Sequence, residues 1–167
     1  MGEIIKKQDK RREFIDTLLY LREHDERVFL IVPDVGFLYI EQFIEKYPQS
    51  FLNTGVTEQS TTILAATMAI SGFKVFLYSM IPFVLFRPAE QVRNAIVFHN
   101  ASVVLLGVKG GESYRFLGRG HNLLHDKEDF NFCDNIGLKW SNPQTNEDVR
   151  KEIIASYLNR GPRYIRL

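Results

Sequence analysis

The sequence predicts an α/β fold, three layers deep, with a mainly parallel sheet and helices on both faces. Three observations predict it. Short continuous apolar runs, Val28–Val32, Lys74–Ser79 and Ser102–Val108, read as strands buried on both sides. Segments with apolar residues at helical spacing lie between them. Strands that alternate with helices need crossover connections, and these favour a parallel sheet. A chain of 167 residues suits one domain with a sizeable core.

The first helix is expected over Asp9–His24, where Phe14, Leu18 and Leu21 share a face with Ile15 and Leu19. Residues 1–8 are expected as a flexible N-terminus. Pro33-Asp34-Val35-Gly36 ends the first strand. A second helix spans Tyr39–Lys46 and stops at Pro48, and Phe51–Thr54 is a short extended piece. Glu58–Ser71, rich in alanine and threonine, forms a helix closed by Gly72. Pro88 sits at the first turn of another helix with Val92, Ala95 and Ile96 on its core face. Lys109–Arg119 reads as a glycine-containing loop. Thr145, three residues before Asp148, caps a helix running to Asn159, with Val149, Ile153, Tyr157 and Leu158 facing inward. Arg163–Leu167 is the last strand.

Composition excludes several classes. The 21 basic and 20 acidic residues nearly cancel, so no global charge draws the chain to nucleic acid or an anionic membrane. The longest apolar stretch, Met80–Phe86, is interrupted by Pro82 and is far too short to span a bilayer. The lone Cys133 has no internal disulfide partner. A cytoplasmic protein is the expectation.

In a parallel α/β sheet, ligand chemistry gathers at the loops that follow the strands. Those loops are Asp34–Gly36, Asn53–Gln59, Ser79–Arg87 and Lys109–Asp126. Glu58 and Gln59 follow Gly55 and open a helix, so Glu58 is either a helix cap or a carboxyl group aimed into a pocket. Met80, Phe83 and Phe86 are too apolar for an exposed loop; they fit either the core or a shelf for a flat heterocycle. His121, after a glycine-rich turn, can exchange a proton with a substrate oxygen, or can simply be exposed. His121, His125 and Asp126 have no second cluster of ligands to complete a metal site. The sequence holds no phosphate-cradling glycine motif of either nucleotide type and no nucleophile-elbow serine.

Taken together and in order, these motifs resemble one family. Gly55-Val56-Thr57-Glu58-Gln59 resembles a glycine-x-x-glutamate-glutamine block. Phe83 with Arg87-Pro88-Ala89-Glu90-Gln91 resembles an aromatic followed by arginine-x-x-glutamate-glutamine. Gly118-Arg119-Gly120-His121 resembles a glycine-x-threonine-histidine block, and Gly161–Leu167 resembles the domain's end. The family is that of pyrimidine-binding domains in transketolase-type thiamine-diphosphate enzymes, and the likeness spans nearly the whole chain. It implies that Glu58 hydrogen-bonds the cofactor's aminopyrimidine ring. It further implies that Phe83 stacks on that ring with Met80 or Phe86 beside it and Arg87 nearby, and that His121, with Asp34, faces the substrate. Two departures stand out. Gly120 replaces the family's threonine, and Leu117 stands where transketolases usually carry a sugar-contacting acid.

The family also needs a glycine-aspartate-glycine motif that grips the diphosphate through a metal, and a C-terminal domain. Neither is found in this sequence. The resemblance therefore implies one subunit of a split enzyme in an αβ or α₂β₂ assembly. A partner resembling the transketolase N-terminal section would hold the diphosphate and its magnesium or calcium ion. A phosphorylated or nucleotide-linked sugar is the implied substrate class. Two other readings remain open: the β subunit of a 2-oxo acid dehydrogenase, and a non-catalytic module that kept the fold.

Overall fold

The computed structural model describes residues 9–110 and 112–167, so the expectation for residues 1–8 lies outside the described residues. Six strands form one sheet in the order β2-β1-β3-β4-β6-β5, and every neighbouring pair is parallel. They are β1 (Val28–Val32), β2 (Phe51–Asn53), β3 (Lys74–Met80), β4 (Val103–Val108), β5 (Lys139–Ser141) and β6 (Arg163–Arg166). The helices are α1 (Lys10–His24), α2 (Glu41–Lys46), α3 (Glu58–Ile70), α4 (Ala89–Gln91), α5 (Glu128–Ile136) and α6 (Asn146–Leu158).

The continuous apolar strands are explained by a core on each face. Along β3 and β4 successive side chains point to opposite sides. Phe76, Tyr78, Val104 and Leu106 pack with Phe14 and Leu18 of α1, Phe43 of α2, and Val149 and Ile153 of α6. Val75, Leu77, Val103 and Leu105 pack with Ala65 and Ala66 of α3, Ile96, and Cys133 of α5. The small residues of α3 let that helix lie close to the sheet. Asp9 caps α1 through its carboxylate, and Thr145 forms a reciprocal capping box with Asp148 on α6.

Some expectations differ from the structure. α5 and β5 were not anticipated. Tyr39 and Ile40 belong to a turn ahead of α2, because Leu38 adopts φ 74° and breaks the helical path. Leu158 is 68% exposed and does not face inward. The segment after β3 is a π-type turn, Pro82–Phe86, and a second π-type stretch, Val92–Val97, continues α4. Such wide turns tend to occur where a helix has been adapted for function.

Candidate functional site

The C-terminal ends of β1, β2, β3 and β4 open onto one cavity of about 380 Å³. Each of the four strand-following loops contributes to its wall: Asp34 and Gly36, then Val56 and Glu58, then Met80, Phe83 and Arg87, then Leu117 and His121.

The turn that delivers Glu58 is tightly tied. The Asn53 side-chain oxygen accepts from the backbone N–H groups of Gly55 (2.9 Å) and Asp34 (3.0 Å), which locks the loops after β2 and β1 together. Gly55 has φ 69°, a conformation that disfavours a side chain even though the space around it is open. Thr54 and Thr61 share a hydroxyl hydrogen bond of 2.6 Å, and the Thr57 hydroxyl donates to the Thr54 carbonyl at 3.0 Å. The result is a helix start that buries Glu58 against the cavity, with its side chain only 4% exposed.

Glu58 is not acting as a helix cap: among the described residues its carboxylate bonds the Arg87 guanidinium rather than a backbone N–H. That guanidinium also lies 4.1 Å from the centroid of the Phe83 ring. Phe83 and Arg87 lie four residues apart in one helical turn, a spacing that brings side chains together on one face. The Phe83 ring meets His121 edge-on, with centroids 4.9 Å apart and planes at 82°. Among the described residues the buried Ser79 hydroxyl and His121 Nδ1 have no hydrogen-bond partner, and both residues line the cavity. Buried polar groups left without partners beside a cavity are groups that a bound ligand or an ordered water can satisfy.

Of the residues singled out from the sequence, Asp34, Glu58, Met80, Phe83, Arg87 and His121 share this cavity. Phe86 does not. Its ring packs edge-on against Phe132 at 5.8 Å, on the core side of the π-type turn, so Met80 and not Phe86 completes the wall beside Phe83. The structure adds Arg11, Tyr39, Tyr78 and Tyr114. Arg11 sits in a charged run at a helix start, where nothing in the sequence separates it from its neighbours. Tyr78 lies in β3, and burial pushes its phenol well above the ordinary tyrosine value. Its neutral ring is thus a fixed wall. Leu117 also lies on the cavity and adds an apolar side chain to its wall. A second cavity next to the first is lined by Lys10, Arg11, Arg12 and Lys109, with Asp9 as its acid. Among the described residues no group of three or more His, Cys, Asp or Glu side chains is placed to hold a metal ion.

The sequence matches the family described as transketolase, pyrimidine binding domain, over residues 6–167. The chain belongs to that family. Among relatives of this pyrimidine-binding domain is a subunit of the apulose-4-phosphate transketolase of Phocaeicola vulgatus. It is 35% identical over 117 residues, covering 70% of this chain and 38% of the relative. The corresponding apulose-4-phosphate transketolase subunit of Actinobacillus succinogenes is 31% identical over 128 residues, covering 77% of this chain and 40% of that one. The chain therefore spans about two fifths of the length of these relatives. A split-gene transketolase, solved as an inactive β4 tetramer, superposes with a TM-score of 0.82 at 22% identity. The match covers 95% of this chain and 50% of that one, and it establishes the common fold.

Proposed function

We propose that this pyrimidine-binding domain acts in a two-part transketolase-type enzyme, binding the aminopyrimidine half of thiamine diphosphate and part of a sugar substrate. One observation carries the reading: a buried carboxylate, Glu58, an aromatic face, Phe83, and a histidine, His121, line a single cavity at the strand ends. The cavity fits a flat ring bearing N–H groups. It offers an acceptor at Glu58, apolar walls at Phe83 and Met80, and unsatisfied polar atoms at Ser79 and His121.

When bound, thiamine diphosphate supplies a carbon that can act as a nucleophile toward a carbonyl group. The chain's own residues have definite tasks around it. Glu58 shares a proton with a ring nitrogen of the aminopyrimidine and so fixes which nitrogen carries it. Phe83 and Met80 hold the ring flat and keep water away. His121 Nδ1 donates to or accepts from a substrate oxygen, stabilising the charge that develops there. Arg11, at the junction with the basic cavity, favours an anionic substrate, and a sugar phosphate is the class that fits. Asp34, held against Asn53, contacts the sugar at the rim.

The diphosphate and its magnesium or calcium ion are assigned to a partner subunit resembling the transketolase N-terminal section, in an αβ or α₂β₂ complex. Both apulose-4-phosphate transketolase relatives are named as single subunits of their enzyme, which supports a divided enzyme here. Calorimetry separates this reading from a non-catalytic module. Thiamine diphosphate with magnesium is expected to bind the mixture of the two subunits and to bind this chain alone far more weakly. No binding to the mixture would favour the module.

A further inference from the structure

We infer that Arg87 is a built-in stand-in for the ligand: its guanidinium occupies a seat for a planar N–H donor, formed by Glu58 and Phe83, and must leave before such a ring enters. The inference deepens the reading above and takes from it the identity of the entering ring.

The geometry supplies both halves of the imitation. A guanidinium is flat, carries N–H donors in one plane, and matches a carboxylate edge. Arg87 places that plane over the Phe83 face at 4.1 Å and donates to Glu58 Oε1. An aminopyrimidine bound to Glu58 and stacked on Phe83 would need the same two surfaces. The two partners differ in freedom. The Glu58 side chain is 4% exposed and fixed at the start of α3, whereas the Arg87 side chain is 42% exposed at the end of the π-type turn. The cation is therefore the half that can swing into solvent.

The ion pair also sets a selection rule. Once Arg87 leaves, Glu58 is a buried carboxylate without its donor, and an unpaired buried charge is strongly unfavourable. A flat apolar ring can replace the stacking but not the donor. A ring that presents an N–H to Glu58 replaces both. Arg87 thus keeps the cavity closed to other flat molecules and weakens the proper ligand by a constant factor.

The test uses the full chain and two probes, 4-amino-5-hydroxymethyl-2-methylpyrimidine and methylguanidinium. By calorimetry, Arg87→Ala is expected to bind the pyrimidine at least about tenfold more tightly than wild type, the order expected for one hydrogen bond to a charged group. Arg87→Lys, which keeps the charge but cannot stack as a plane, should fall between them and guards against misfolding of the alanine variant. Methylguanidinium at millimolar concentration should shift the Phe83 ring signals in NMR spectra of Arg87→Ala. It should leave those of wild type and of Arg87→Ala with Glu58→Gln unmoved. Equal or tighter pyrimidine binding by wild type overturns the inference, and so does an absence of methylguanidinium shifts in Arg87→Ala. If the pyrimidine binds no variant while methylguanidinium still shifts Phe83, the stand-in is supported and the cofactor reading fails.

Discussion

Replacing Asp129 by alanine should damage this fold more than almost any other single side-chain truncation. Asp129 is fully buried in the first turn of α5. Its carboxylate accepts from Tyr164 Oη at 2.7 Å and from Arg166 Nε at 2.9 Å, and its other oxygen pairs with Arg166 Nη2. Arg166 is itself buried, its side chain 8% exposed, and its remaining bond goes to the Asp126 carbonyl. In Asp129→Ala the guanidinium keeps that single acceptor and the Tyr164 hydroxyl loses its own. Breaking a buried pair from one side costs about 3–5 kcal/mol. For a domain of this size that lowers Tm by roughly 6–20 °C. Urea unfolding followed by circular dichroism should show a lower midpoint with an unchanged slope. Replacing both partners together, Asp129→Leu with Arg166→Met, should recover most of the loss, to within about 1–2 kcal/mol of wild type, because no charge is then left buried. A stability loss below about 1 kcal/mol for Asp129→Ala would mean that the network is as weak as an exposed ion pair.

The same network constrains Gly107. A Cβ there would lie 2.7 Å from the Tyr164 ring and hydroxyl, so Gly107→Ala should cost about 1–3 kcal/mol by overpacking, read as a lower Tm. A lowered carboxylate value makes a pH prediction. Hydrogen bonds from Arg27, with a smaller contribution from Tyr157, hold the Asp25 carboxyl down at about 2 against burial, from an ordinary 3.8. The folded value lies below the unfolded one, so this stabilisation is present above pH 3.8 and is lost as pH falls toward 2. Arg27 is exposed and solvent screens the pair, so the contribution is about 1 kcal/mol. Asp25→Asn should flatten the acid limb of the stability profile by that amount, read from urea midpoints measured between about pH 2 and pH 6.

Much of the fold was legible because burial on both faces writes itself into sequence as unbroken apolar strands. β1 was placed at its observed bounds and β3 and β4 to within one residue. α5 and β5 were not legible. α5 buries an aspartate, which reads as a surface residue until its partners, Tyr164 and Arg166, arrive from β6. β5 is only three residues long at the sheet edge and partly exposed. The left-handed Gly137 that closes α5 was an available signal. In the candidate site, the strand-end rule gathered Glu58, Phe83 and His121 in advance, whereas the choice between Met80 and Phe86 for the wall stayed open because it depends on how the π-type turn rotates successive side chains. Tyr78 was hidden because an inward-facing strand residue looks the same whether it meets a core or a cavity. The Glu58–Arg87 contact joins residues 29 positions apart, and no local pattern signals such a pairing.

In the proposed enzyme Glu58 handles a proton in a cofactor site that another subunit completes. The direct measurement is ketol transfer from a ketose phosphate by the reconstituted pair, with thiamine diphosphate and magnesium, for wild type and Glu58→Ala. Turnover is expected only when both subunits are present, with a fall in kcat of at least about a hundredfold in Glu58→Ala, as for loss of a proton-handling group. Circular dichroism and calorimetry should show that variant still folded and paired. Wild-type turnover by the Glu58→Ala complex would show that Glu58 has no part in the chemistry.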